Sequence, residues 1–210
     1  MTITIGIYLY DEVEVLDFAG PFEVFSTASR VNSRLQPQAP KLFEVMTIAN
    51  TAHPVVARGG LMVTPSHTID SHPTLDVLIV PGGVVTAQLE KQSVIDWIAR
   101  CNLETQITAS VCTGAFLLAK AGLLDGKTAT THWEDIPDLR SAFPQVTVLE
   151  HRGYVDTGKI VTSAGISAGI GMSLHLVARL ASLACTGAAG TGEIAVKTAH
   201  QMEFEWQDVG

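Results

Sequence analysis

Cys112 is the residue in this chain best placed for covalent chemistry. It lies in Ala109-Ser110-Val111-Cys112-Thr113-Gly114-Ala115, where an apolar run gives way to a helical pattern and a glycine follows at the second position. That is the layout of a nucleophile elbow with Cys in place of Ser, a sharp strand-to-helix turn that lifts the reactive atom clear of its neighbours. Small flanking residues let the backbone turn tightly. The thiol is then expected to face the N-terminus of a helix over residues 114–124, whose partial positive charge favours the thiolate. The same position also suits an ordinary buried cysteine, the commonest fate of a free thiol, and position alone leaves both readings open. Cys101 and Cys185 fall inside helical patterns and read as packing residues.

Asp17 is the second chemical residue, a lone carboxylate in Val15-Leu16-Asp17-Phe18-Ala19-Gly20-Pro21. It can be read as a turn or helix-cap residue. If the first loop and the elbow open on the same sheet edge, a carboxylate beside a thiolate is unfavourable unless the acid keeps its proton. Burial raises a carboxyl pKa, so a neutral Asp17 would donate a hydrogen bond to the sulfur and later pass its proton to a substrate.

These residues need a scaffold that brings distant turns together. Ile3, Ile5, Ile7 and Leu9 alternate as a first strand, and Gly20-Pro21 opens a helix to about Val31, before a polar loop over 32–41. Phe43–Ala49 reads as a second strand, and Arg58-Gly59-Gly60 as a hairpin turn. Asp76–Val80 is a continuous apolar run ending in Pro81-Gly82-Gly83, suited to a parallel strand buried on both faces. A helix over 93–103, a strand over 106–111, a short strand over 128–131 and a helix over 133–143 follow. A hairpin is expected to join 147–150 to 154–163, with its last part split by a turn at 156–159. A buried helix over 166–183, a small-residue segment over 184–192 and a final outer helix over 193–206 complete the pass. Apolar runs end in small-residue turns after Val80, Val111 and Val161, where an open α/β sheet places its ligands. The expected fold is one α/β domain over residues 1–210, a doubly wound, mostly parallel sheet with helices on both faces.

Composition narrows the function. The 210 residues are 47% hydrophobic and 16% charged, too apolar for a disordered chain, and carry a formal charge of −8. With no Lys/Arg cluster, neither nucleic acid nor an anionic membrane is an expected partner. Three scattered cysteines make no disulfide framework and suit a reducing cytoplasm. The start Met1-Thr2-Ile3-Thr4-Ile5 lacks the basic region of a signal peptide, and the longest uncharged run, over 160–178, is broken by serines, glycines and His175. The histidines show no helical ligand pair, so no metal or cofactor is expected, only a small-molecule substrate.

Taken together, Leu16–Pro21, Ile79-Val80-Pro81-Gly82-Gly83, Ser110-Val111-Cys112-Thr113-Gly114, Thr130-Thr131-His132-Trp133 and Ser163–Gly169 resemble the PfpI/ThiJ superfamily, over nearly the whole chain and in the same order. The fold of that superfamily is similar to class I glutamine amidotransferases. Asp at 17 and Thr after the cysteine are similar to the branch containing isocyanide (isonitrile) hydratase. The resemblance implies Cys112 as nucleophile, Asp17 as acid/base and Thr113 as a supporting hydroxyl. Backbone amides at Gly82, Gly83 and Thr113 would form an oxyanion-type pocket, with His132, Trp133, Gly165 and Ile166 lining the site. His132 also suits a core or interface histidine. The implied reaction adds water to an isocyanide through a thioimidate, giving an N-substituted formamide, and the implied assembly is a homodimer.

The same signature occurs in N-terminal domains of AraC-type regulators, so a ligand or redox sensor is an alternative reading. The acidic tail of this chain shows no basic recognition helix. Glyoxalase-like or amidase/peptidase chemistry is a further alternative. A peptidase needs a histidine paired with the thiol, and Thr113 occupies the adjacent position.

Overall fold

Strand β1 (Ile3–Leu9) pairs with a strand on each edge, and its side chains are buried on both faces of the sheet, which requires cover from packed helices on each face. The computed structural model describes residues 1–184 and 192–207. In chain order β1 is followed by α1 (Val15–Leu35), β2 (Phe43–Ala49), the short strands β3 (Val55–Val56), β4 (Met62–Val63) and β5 (His67–Thr68), and β6 (Val77–Val80). Then come α2 (Thr86–Leu89), α3 (Gln92–Glu104), β7 (Ile107–Val111), α4 (Gly114–Lys120), β8 (Thr128–Ala129), α5 (Ile136–Ala142) and β9 (Thr147–Val148). The chain continues through β10 (Tyr154–Asp156), β11 (Ile160–Ser163), α6 (Ala168–Ala184) and α7 (Glu193–Gln201).

Seven strands form the main sheet in the order β10-β11-β7-β6-β1-β2-β5, all pairs parallel except β10 with β11. The sequence order jumps from β1 out to β2 and back through β6 to β7, the switch that opens a crevice beyond the carboxyl ends of the central strands. Strands β6 and β7 are wholly buried, which requires cover on both faces. Helices α1, α6 and α7 pack together as one layer, and α2, α3 and α4 form another. The expected mostly parallel α/β fold is therefore the one observed.

Several local expectations shift. Helix α1 begins at Val15, not at Gly20, so Asp17 sits in its first turn rather than in a loop. Pro21 lies inside the helix, where it removes the single bond that would have reached the Asp17 carbonyl. The helix also runs through Asn32 to Leu35, because Asn32 is buried and Ser33 and Arg34 supply its polar side. Helix α4 stops at Lys120, short of the expected Leu124, and Gly122 follows at φ 74°. The expected hairpin from 147–150 does not form. Strand β9 pairs in parallel with β8, and His151 at φ 55° turns the chain away before β10. The antiparallel hairpins at Arg58–Gly60 and at residues 156–159 are both present. The outer helix ends at Gln201, and Cys185 with most of the segment 184–192 lies outside the described residues. No described helix is long and apolar enough to cross a membrane.

Candidate active site

Cys112 follows β7 directly and takes a left-handed backbone conformation, φ 56°, that non-glycine residues rarely adopt. The strain is held by neighbours on both sides. Its N–H is shared between the carbonyls of Ser163 and Ala164, at 3.2 Å each, and its carbonyl accepts the Thr131 hydroxyl at 2.8 Å. Gly114 lets the turn sit on β6: a Cβ there would lie 2.1 Å from the Val80 carbonyl oxygen. The elbow read from sequence is thus a strained, clamped turn.

Asp17 is fully buried beneath this turn. One carboxyl oxygen, Oδ2, accepts the Gly82 amide at 3.0 Å, and the other, Oδ1, has no well-formed hydrogen bond. Burial pushes its pKa up to about 7, and the nearby Glu14 charge adds to this. The Gly82 amide, the Cys112 side chain and the Ile166 amide pull it back. The two acidic side chains therefore meet, as expected, though from a helix turn below the thiol rather than from an open loop.

The protonation state of the sulfur differs from the expectation. Burial, then the Asp17 carboxylate, push the Cys112 thiol up to about 12, against stabilisation of the anion by the Thr113 and Ile166 amides. A seven-residue helix supplies too little field to outweigh a dry site and an acid below it. The resting group is a thiol beside a carboxyl poised near neutrality.

The amides of the Pro81-Gly82-Gly83 turn are also committed. Gly82 N–H binds Asp17, and Gly83 N–H donates to Thr113 Oγ1 at 2.9 Å, while that hydroxyl donates back to the Gly83 carbonyl at 2.9 Å. An oxyanion pocket using Gly82 and Gly83 is therefore closed by the protein's own groups. The donors that remain at the sulfur are the amides of Thr113 and Ile166, the latter at φ 50° in the turn before α6.

Above the thiol lies a cavity of about 240 Å³ whose walls include Gly83, Thr113, His132 and Ile166. His132 Nδ1 points to Asp135 at 3.4 Å and Glu134 at 3.8 Å, and its ring lies so close to Gly165 that a Cβ there would meet Cδ2 at 2.1 Å. Among the described residues no hydrogen bond joins His132 to Cys112. Trp133 is not in this cavity: it is 74% exposed and lines a neighbouring one of about 300 Å³ with Thr130, Thr131 and Ile136. Glu14, Arg58, Glu134 and Asp135 also line the space over the thiol, and sequence reasoning missed them. The available signals were Glu14 three places before Asp17, Arg58 opening its glycine turn, and two acids directly after His132-Trp133. Arg58 Nη1 bonds Glu14 Oε2 at 3.2 Å. Among the described residues no group of three or more His, Cys, Asp or Glu is arranged to hold a metal ion.

A mostly parallel α/β sheet carrying a strained cysteine elbow over a buried acid defines a class of α/β proteins. Within it, this chain belongs to the DJ-1/PfpI family, whose model matches residues 3–179. The chain is 34% identical over 181 residues to isonitrile hydratase of Pseudomonas putida, covering 86% of this chain and 73% of that one. It is 30% identical over 176 residues to the HTH-type transcriptional regulator GbdR of Pseudomonas aeruginosa, covering 84% of this chain and 46% of the regulator, so it spans about half that protein's length. Among solved structures it resembles a THiJ/PfpI family protein from Pseudomonas syringae, with TM-score 0.80 and 24% identity over 98% of this chain and 76% of that one. It also resembles DJ-1beta of Drosophila melanogaster, with TM-score 0.77 and 19% identity over 98% and 100%.

Proposed function

We propose that the chain is a cysteine-dependent isocyanide hydratase. The observation that carries this reading is the buried Asp17–Cys112 pair beneath a small cavity, with the carboxyl pushed up to about 7. In the proposed cycle the sulfur attacks the terminal carbon of R–N≡C as Asp17 takes the thiol proton. Asp17 then delivers that proton to the same carbon, giving the thioimidate S–CH=N–R. Water adds to this carbon, the C–S bond breaks, and the two water protons finish on nitrogen and sulfur. The product is R–NH–CHO, and the thiol is restored. The amides of Thr113 and Ile166 stabilise negative charge on sulfur when the bond forms and when it breaks.

The 34% identity to isonitrile hydratase supports this assignment, and the direction of His132 toward Asp135 and Glu134 favours it over a Cys–His peptidase. The test is conversion of an aryl isocyanide to its formamide, followed by absorbance or mass. Wild type is expected to turn over, and Cys112→Ala to lose more than about 1000-fold in rate. A wild-type protein inert toward a panel of alkyl and aryl isocyanides overturns the reading. The similarity to GbdR over 84% of this chain then favours a ligand-sensing role.

A further inference from the structure

The cavity above Cys112 is small, and its walls are unusually charged. Glu14, Glu134 and Asp135 contribute three carboxylates, and Arg58 one guanidinium. That guanidinium is already engaged by Glu14 at 3.2 Å, and His132 stands between Asp135 and Glu134. Three carboxylates against one guanidinium leave −2 with a neutral imidazole and −1 with a charged one. The sign is the same in either state of His132. Below the floor lies Asp17, whose bonded partner is a backbone amide and not a cation. The chain as a whole, these groups included, carries a formal charge of −8. The Glu134 and Arg58 side chains are 64% and 53% exposed, so the lining sets a net-negative field at the mouth of the cavity that salt can screen.

We propose that this cavity selects ligands by charge, admitting uncharged and cationic small molecules to Cys112 and excluding carboxylate- or phosphate-bearing ones, with Glu134 and Asp135 as the excluding residues and Arg58 as their partial counterweight. The proposal deepens the hydratase reading by naming the substrate class: isocyanides with a neutral or ammonium-bearing substituent. It rests on that reading only for the word isocyanide, since the field acts on any molecule approaching the thiol.

The deciding experiment needs no turnover. Rates of Cys112 modification at pH 8 are measured with two methanethiosulfonates of similar size, one ending in trimethylammonium and one in sulfonate. Each transfers its thioalkyl group to the cysteine sulfur with release of methanesulfinate, and peptide mass distinguishes Cys112 from Cys101 and Cys185. Rates are normalised to the same reagents on 2-mercaptoethanol. The cation-to-anion ratio is expected to exceed that of the small thiol by roughly tenfold at low salt and to shrink severalfold at high salt. Glu134→Gln and Asp135→Asn should each lower the ratio, whereas Arg58→Gln should raise it. Such opposite signs would not arise from loss of packing. A normalised ratio near or below one, or one that Glu134→Gln and Arg58→Gln shift in the same direction, overturns the proposal. Parallel turnover assays with a carboxylate-bearing isocyanide, its methyl ester and an amino-bearing analogue report on the hydratase reading separately. Failure of all three leaves the modification ratio intact as evidence on charge selection.

Discussion

At the scale of single residues, the proposed cycle turns on two acids with one proton in dispute. Asp17 stands near 7 and the thiol near 12, each raised first by burial. If the carboxylate must receive the thiol proton, kcat/KM rises with pH through an acidic limb near 7 and levels above it. Asp17→Asn is expected to cost at least about 100-fold and to erase that limb. An Asn variant with a normal rate and an unchanged pH profile would remove Asp17 from the chemistry. The place of Cys112 between an apolar run and a glycine marks it as a candidate but suits a buried packing cysteine equally, and only the ordered set of motifs around it singles it out. Its ionisation was not legible, because burial and the partner acid come from segments far away in sequence. The commitment of Gly83 to Thr113 was equally invisible, since a hydroxyl that both donates and accepts across a turn leaves no pattern in the chain.

At the scale of elements, the central strands β6 and β7 are legible because strands buried on both faces write continuous apolar runs, whereas the two-residue edge strand β5 is not. Boundaries were harder. Pro21 suggested a helix start, yet the missing amide affects one bond near the helix beginning, and packing of Asp17 and Phe18 extends the helix back to Val15. The pairing of β9 with β8 instead of β10 was beyond pattern reading, because two-residue strands carry almost no periodicity. The resemblance implies Trp133 at the cysteine's cavity, but the turn over Trp133–Asp135 sends neighbouring side chains to different cavities. The contact of Gly165 with the His132 ring gives a test of this arrangement. Gly165→Ala must displace the imidazole, and it is expected to reduce catalytic efficiency at least about tenfold with a modest change in melting temperature. Catalytic efficiency unaffected by the methyl group would show that the ring position is irrelevant to the reaction.

At the scale of the molecule, the buried acid has a thermodynamic cost. In the unfolded chain Asp17 ionises near 3.8, and in the folded chain near 7. Its contribution therefore favours the native state most at low pH, declines as pH rises between these values and stays constant above them. A displacement of about 3 pKa units corresponds to about 4 kcal/mol. Asp17→Asn should consequently melt higher than the wild type at pH 8, with the difference narrowing toward pH 4. Thermal denaturation of both proteins across this range checks it, and equal melting temperatures at pH 8 would count against a desolvated carboxylate.

The short turn at Gly82 and Gly83 fastens to the underside of the first helix through one amide and to the cysteine elbow through the next. The first turn of α1 and the cysteine elbow are thereby tied to one common support. Heating should not produce a species with an intact scaffold and a detached catalytic centre, so the curve for inactivation ought to superimpose on the curve for loss of tertiary structure.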